Sequence, residues 1–142
     1  MPAPITIAEV PNIAFCTPIF QDAATLLSDE AFAGHVNPER VRIGIEASHL
    51  VIAMAHNGDL VGAGVLRPTS DTTAAITCVA VSPDKRRDGL GTRIISKLED
   101  IAVASQVATI LVMPTNTDAR RLCERLGYTS PHDNVRYLEK SL

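Results

Sequence analysis

The chain of 142 residues has no tryptophan, and its two tyrosines and three phenylalanines make up only 4% of it. Few rings are therefore present to stack on bases, which argues against a protein that binds single-stranded nucleic acid. Thirteen lysines and arginines against sixteen aspartates and glutamates give a formal net charge of −3, whereas sequence-independent nucleic-acid binders are normally basic. We expect no nucleic-acid partner, and a core built from aliphatic side chains.

Cysteines and long apolar runs are also scarce. The three cysteines, Cys16, Cys78 and Cys123, are too few and too widely spaced for a disulfide framework or a zinc site. We therefore expect reduced thiols, no metal and a cytoplasmic protein. The chain does not open with a basic segment and a long apolar run, and its longest apolar runs are too short to cross a bilayer. These features predict neither a signal peptide nor a membrane partner.

Two helix starts stand in the first third of the chain. Each consists of a capping residue followed by proline, at Thr17-Pro18 and at Asn37-Pro38. This pattern predicts a helix start, because the capping side chain accepts a hydrogen bond from the first helical turn and proline suits the first position of a helix. We expect the first helix to end near Glu30 and residues 31–36 to form a loop. Residues 5–10 are a weak candidate for a first strand.

The next segments alternate between strand and turn. Asn57-Gly58, between apolar runs at 50–55 and 60–66, predicts a β-hairpin because both residues tolerate positive φ. Two nearly continuous apolar runs, Ala74–Val81 and Val107–Met113, predict strands that are buried on both faces.

Helices follow both of these runs. The first begins at Gly89 with an apolar stripe, and the second carries Ala119, Leu122, Cys123 and Leu126 on one face and ends at Gly127. A short last strand is predicted over 135–139. A hairpin followed by two strand–helix units predicts one α/β domain over residues 1–142, with a mixed sheet and a strand–helix–strand crossover.

The turn between the 74–81 run and the next helix has the features of an anion site. Residues 82–92 read Ser-Pro-Asp-Lys-Arg-Arg-Asp-Gly-Leu-Gly-Thr. A helix N-terminus offers unpaired N–H groups and partial positive charge, the glycines permit close approach of the backbone, and Lys85, Arg86 and Arg87 add counter-charge. A pyrophosphate suits such a site, and a solvated surface turn is the alternative. The triphosphatase loop sequence is absent, and Ile94 stands where the dinucleotide fingerprint needs glycine.

Two blocks of the sequence resemble one family. Arg86-Arg87-Asp88-Gly89-Leu90-Gly91 matches the Arg/Gln-x-x-Gly-x-Gly/Ala motif of the GCN5-related N-acetyltransferases (the GNAT superfamily), and residues 116–128 are similar to its Asn-x-x-Ala-x-x-Leu-Tyr-x-x-x-Gly-Phe/Tyr stretch. The resemblance covers residues 49–142, and the first half matches only in the order of its elements. It implies a mixed, mainly antiparallel central sheet with a splayed parallel strand pair, flanked by helices. It also implies an acetyl-CoA-dependent N-acetyltransferase that acts on a primary amine.

The resemblance also implies a set of cofactor-binding residues. The motif loop would hold the pyrophosphate of acetyl-CoA, and the pantetheine arm would lie between the splayed strands. The backbone N–H of Val79 would polarise the thioester carbonyl. Asn116 would contact the arm, cap the following helix, or do both. The cofactor-binding set is Val79, Ala80, Val81, Arg86, Arg87, Asp88, Gly89, Leu90, Gly91, Thr92 and Asn116.

The groups for proton transfer are less clearly marked. Cys123 stands where the family often has a tyrosine general acid, and three roles are open: a packed core residue, a weak acid near the cofactor sulfur, or no chemical role. Tyr128 and Tyr137 are the other phenols, and each either packs at a strand edge or donates a proton. Thr77 stands about where some relatives have a glutamate base. Other candidate bases, none marked by spacing, are His35, Glu46, His49 and Asp71.

The missing tyrosine and glutamate also fit a non-catalytic acetyl-CoA-binding regulator that acts on a partner protein. An enzyme would release thiol from acetyl-CoA when an amine is present, whereas a regulator would bind acetyl-CoA without turnover. The acceptor would be selected by the first two helices and by the loops over 31–36 and 129–134. Whether it is a small molecule, a peptide or a protein stays open, as does a homodimer.

Overall fold

A computed structural model of the chain describes residues 5–10, 18–30, 37–45, 48–86, 89–114, 117–130 and 137–142. The described strands form one six-stranded sheet in the order β1 to β6. These strands are β1 (Ile5–Val10), β2 (His49–Ala55), β3 (Leu60–Pro68), β4 (Thr73–Val81), β5 (Thr109–Val112) and β6 (Leu138–Ser141). The helices are α1 (Pro18–Glu30), α2 (Pro38–Ile45), α3 (Leu90–Ala104) and α4 (Thr117–Arg125), and a 3₁₀ turn spans Pro83–Lys85.

The sheet is mainly antiparallel, with one parallel pair. β4 and β5 run parallel and are connected by α3, whereas every other neighbouring pair is antiparallel. This arrangement confirms the predicted mixed sheet, the crossover and the flanking helices. No helix in the described part of the chain is long and apolar enough to cross a membrane.

Short local patterns set the ends of the first helices and the hairpin. α1 begins at Pro18 and ends at Glu30, as predicted, although Thr17 lies outside the described residues. At the start of α2, the Asn37 side-chain oxygen accepts a bond of 2.9 Å from the Arg40 N–H, which is the expected cap. In the hairpin turn Gly58 alone takes a positive φ, of 91°. Asn57 contributes differently, because its side-chain oxygen accepts a bond from the Asp59 N–H.

Two apolar layers cover the sheet. α1 and α2 pack on one face, where Leu27, Ile45 and Leu50 are fully buried. α3 packs on the other face, with Ile94 and Leu98 at 0% exposure. Among the residues that the structure describes, the core is therefore aliphatic, as expected, with Tyr128 as its large aromatic exception.

Three details of the sequence-based prediction were wrong. β4 and β5 are not buried on both faces: Thr77 of β4 is exposed and lines an open cleft, and Leu111 of β5 is half-buried. β5 is also shorter than predicted, and the last strand begins at Leu138, while residues 135 and 136 lie outside the described part. On α4, by contrast, the predicted apolar face is present: Cys123 is buried, and the half-buried Leu122 and Leu126 pack against the same core.

Candidate functional site

β4 and β5 separate after a short paired segment. Their pairing runs from Thr73 with Thr109 to Ile76 with Val112, and β4 then continues to Val81 paired with β3 but not with β5. Thr77 is an extra residue at that point: Leu66 of β3 pairs with Ile76 and the adjacent Val65 pairs with Cys78, so Thr77 has no partner on β3 and forms a β-bulge. A bulge of this kind bends and twists the strand that contains it. The second half of β4 therefore diverges from the line of β5.

The bulge also changes which residues of β4 point to which face of the sheet. Before Thr77, the buried side chains of Ala74 and Ile76 belong to the α3 face of the sheet. After Thr77, Val79 packs on that face, while Ala80 belongs to the α1 face. The apolar residues thus fail to alternate because the register shifts by one residue, and the run looks continuous in the sequence.

The second half of β4 turns backbone polar groups toward the cleft. The N–H of Ser82 donates to the carbonyl of Val61 at 2.9 Å, so Ser82 points its backbone groups at β3. Backbone groups alternate along an antiparallel ladder, so Ala80 also faces β3, while Val79 and Val81 face away from it, toward the split. Arg86 supports this orientation, because its Nε donates to the Val81 carbonyl at 3.2 Å.

A cleft of about 940 Å³ occupies the split. Its walls are the second half of β4, the turn after it, the first turn of α3, the end of β5 and one side of α4. Of the site residues predicted from the sequence, Arg87, Asp88 and Asn116 lie outside the described residues. Those that line the cleft are Val79, Ala80, Val81, Arg86, Gly89, Leu90, Gly91, Thr92 and Cys123.

The N-terminus of α3 forms one end of this cleft. Gly89 is its N-cap, with a left-handed φ of 78°, and no side chain of the described residues caps its first turn. A Cβ at Gly89 would meet nothing within 4 Å, whereas a Cβ at Gly91 would stand 2.9 Å from Leu122 Cδ2 on α4. The two glycines therefore do different things: Gly89 permits the turn, and Gly91 lets α4 approach α3. The uncapped N–H groups and the helix dipole favour an anion at this end.

An ion pair lies across the same end of the cleft. Arg86 Nη2 donates to Glu30 Oε2 at 2.6 Å, and both residues line the cleft. Sequence reasoning missed Glu30, because its partner is 56 positions away and no local spacing joins them. The available signal for this pair was weak: it consisted only of an acidic residue at the predicted end of the first helix and basic residues in the motif loop.

Cys123 is a buried thiol in the cleft wall, with 4% exposure. Burial raises the pKa of Cys123 to about 11, and the nearby carboxylates of Glu124 and Glu99 act in the same direction. The thiol is therefore protonated at neutral pH.

Tyr128 does not line the cleft, in contrast to its expected catalytic role. It is 1% exposed, and its hydroxyl donates to Glu99 Oε2 on α3 at 2.9 Å. Lys140 Nζ lies 2.9 Å from the same oxygen and 5.6 Å from the tyrosine ring centre. Burial, with the Glu99 carboxylate second, raises the pKa of Tyr128 far above its usual value. These contacts join α3 to β6 and hold the Tyr128 side chain in its buried position.

Two of the candidate bases lie away from the cleft, and two cannot be placed. His49 Nδ1 is 2.8 Å from Glu9 Oε1, Asp71 is exposed in the turn between β3 and β4, and neither lines the cleft. Glu46 and His35 lie outside the described residues. Thr77 does line it, with its hydroxyl oxygen 3.8 Å from Cys78 Sγ.

A split parallel strand pair with a motif loop at one end is the pattern that the sequence resemblance implied. A model of the acetyltransferase (GNAT) family matches residues 18–128. The chain belongs to this family. The match covers α1 through Tyr128 and confirms the family to which the two sequence blocks pointed.

Solved structures of other GNAT proteins share the fold of this one over nearly its whole length. GCN5 of Tetrahymena is 14% identical, with 96% of this chain and 95% of that chain covered and a TM-score of 0.78. A GNAT family acetyltransferase from Elizabethkingia anophelis with acetyl-CoA bound is 19% identical, with 97% and 98% covered and a TM-score of 0.75. The IAA acetyltransferase from Bacillus cereus is 14% identical, with 98% and 100% covered and a TM-score of 0.75. No curated protein sequence matches the chain.

Proposed function

We propose that the protein transfers the acetyl group of acetyl-CoA to the nitrogen of a primary amine. The observation that carries this proposal is the open edge of β4 beyond Ile76, which turns the backbone groups of Val79 toward a cleft that ends at an uncapped helix N-terminus. Membership of the acetyltransferase (GNAT) family supports acetyl transfer. A similarly folded protein has been solved with acetyl-CoA bound, which supports the choice of co-substrate.

The cleft suits the parts of coenzyme A in order. The end at α3 combines the N–H groups of the first turn of that helix with the charges of Lys85 and Arg86, which fits a pyrophosphate. Gly89, Leu90, Gly91 and Thr92 would bind it through their backbone. Arg87 and Asp88 are included from the sequence motif, as is Asn116 for the arm. The open edge of β4 fits an amide-containing arm, because such an arm can pair with it like an added strand.

We assign Val79 the main electrostatic role. Its N–H faces the split, so it can donate to the carbonyl oxygen of a thioester placed beside β4. A fixed backbone donor stabilises the charge that develops on such an oxygen without reorganising during the reaction. Val81 contributes an N–H in the same direction, while its carbonyl already accepts from Arg86. Ala80 turns its backbone to β3, and its part is to line the cleft.

The acetyl group passes directly to the amine in this proposal. Acetyl-CoA supplies an activated acetyl group; the nitrogen–carbon bond forms, the carbon–sulfur bond breaks, and coenzyme A leaves as its thiolate. The amine must be neutral when it attacks, and we assign Thr77 to hold a water that takes up the proton. Burial raises the pKa of Cys123 to about 11, so it is a weaker acid than an ordinary thiol and would not readily protonate the departing thiolate; we therefore assign it to packing in the cleft wall. Holding both substrates in one cleft supplies much of the rate.

A cytoplasmic location and a homodimer are part of the same proposal. Reduced, widely spaced cysteines favour the cytoplasm. β1 and β6 are the outer strands of the described sheet, and outer strands pair readily with a second copy. Fractionation of cells and sedimentation of the purified protein test these two points.

Thiol release from acetyl-CoA in the presence of a panel of primary amines tests the proposed activity. The panel should include small polyamines, peptides with free N-termini and lysine-containing peptides, and mass spectrometry should find one acetyl group on the amine for each thiol released. If acetyl-CoA binds but no amine releases thiol, the enzyme proposal fails in favour of a regulator. If acetyl-CoA does not bind, both fail.

A further inference from the structure

Glu30 occupies an unusual position for an acidic residue. It is the last residue of α1, next to Asp29, and the last turn of that helix contains no basic residue. The helix dipole places partial negative charge at this end, so two carboxylates there destabilise the helix. Glu30 nevertheless points into the cleft, with its side chain 24% exposed. Its position is explained by what it binds.

Its partner is the arginine of the motif loop. Arg86 Nη2 is 2.6 Å from Glu30 Oε2, while Arg86 Nε donates to the Val81 carbonyl at 3.2 Å. The guanidinium therefore has one anionic and one neutral acceptor, from two different elements. Its side chain is still 53% exposed, so an incoming phosphate can reach the guanidinium.

A carboxylate and a phosphate are alternative acceptors for the same guanidinium. Both present paired oxygens that match its donor fork. Glu30 occupies this guanidinium at the end of the cleft where the N-terminus of α3 favours an anion. A diphosphate that binds there meets an arginine that is already paired.

We propose that Glu30 is a built-in anion that competes with phosphate ligands for Arg86 and so sets the affinity of the cleft for coenzyme A. This inference rests on the proposed function, because it concerns the same cleft. The bond from Arg86 Nε to the Val81 carbonyl is compatible with either partner, so the exchange needs movement of Glu30 alone. Loss of the Glu30 charge then strengthens phosphate binding.

Calorimetric titration with acetyl-CoA, and separately with inorganic pyrophosphate, tests the competition. Glu30→Gln removes the charge and keeps the shape, and we expect about three- to fivefold tighter binding of both ligands, in line with an exposed ion pair. Asp29→Asn is the matched control: Asp29 is the neighbouring residue, is exposed, and lines a different groove. It changes the net charge equally and should alter the affinity by less than about twofold. Raised salt should narrow the difference in affinity between the two variants.

A background of Arg86→Gln separates competition from a general charge effect. There Glu30→Gln should no longer tighten binding, because the shared partner is absent. Thermal unfolding of each variant checks that the fold is retained. The inference is overturned if Glu30→Gln binds like Asp29→Asn, binds more weakly than wild type, or keeps its effect without Arg86. Failure of the wild-type protein to bind acetyl-CoA would instead overturn the proposed function, and the pyrophosphate titrations would still decide the role of Glu30.

Discussion

Gly64 of β3 lies directly against Ile94 of α3, so that a Cβ at Gly64 would stand 2.5 Å from Ile94 Cγ2 and 3.1 Å from Leu98 Cδ1. Gly64 also pairs with Val79 across β3 and β4. The missing side chain therefore lets α3 lie close to the sheet beside the residue to which we assign the thioester contact. This packing fixes the first turn of α3 relative to the open edge of β4.

Gly64→Ala should destabilise the protein by about 1–3 kcal/mol, because the added methyl group overpacks a stiff, β-branched neighbour. Urea denaturation measures the free energy of unfolding. Ile94→Leu moves the branch away from Cβ and should cost less than about 1.5 kcal/mol alone. The double variant should lose less stability than the sum of the two single changes. A Gly64→Ala protein as stable as wild type would contradict the close contact.

Tyr128→Phe should leave acetyl-CoA binding and kcat within about twofold of wild type, since the hydroxyl bonds to Glu99 outside the cleft. It should lower the free energy of unfolding by about 1 kcal/mol through the lost hydrogen bond. Glu99 keeps Lys140 as a partner, which limits the loss. Steady-state kinetics and urea denaturation of the same preparation measure both effects. A large fall in kcat without loss of stability would restore a catalytic role for this phenol.

Cys123→Ala should change how stability depends on alkaline pH. The unfolded chain releases the thiol proton near pH 9, while the folded state holds it to about pH 11. Between these values unfolding releases a proton, so the free energy of unfolding falls as pH rises, by up to about 1.4 kcal/mol per pH unit from this group. The variant should show a shallower fall between pH 9 and 11 and the wild-type slope below pH 8. Equal slopes above pH 9 would show that the thiol is not shielded from water.

Much of the fold could be predicted because its signals are local. A cap with a following proline marks the starts of α1 and α2, and Gly58 marks the hairpin, since each acts within a few residues of itself. The turn at Gly89 is another local signal, because a glycine directly before an apolar-striped segment marks both the positive φ and the start of α3.

The parts that could not be predicted depend on contacts between distant segments. The bulge at Thr77 is visible only when β3 is aligned with β4, and without it the apolar run of β4 suggests a strand buried on both faces. The Glu30–Arg86 pair and the Tyr128–Glu99 bond likewise join separate elements. The sequence therefore predicted the loop and the helix start that line one end of the cleft, but not the Glu30 carboxylate that lines it as well.

The most direct test of the proposed acetyl-CoA cleft is a calorimetric titration with acetyl-CoA of wild type, Gly89→Trp and Gly58→Trp. The two glycines are matched, because φ is 78° at Gly89 and 91° at Gly58 and a Cβ added at either would meet nothing within 4 Å. Both substitutions should therefore cost a similar amount of stability, about 1–3 kcal/mol. Only Gly89 of the two lines the cleft.

We predict that wild type and Gly58→Trp bind acetyl-CoA with similar affinity and that Gly89→Trp does not bind it, because the indole would fill the turn at the N-terminus of α3. Thermal unfolding of both variants checks that they remain folded. Equal binding by all three proteins, or no binding by wild type, would contradict the assignment of the split between β4 and β5 as the acetyl-CoA cleft.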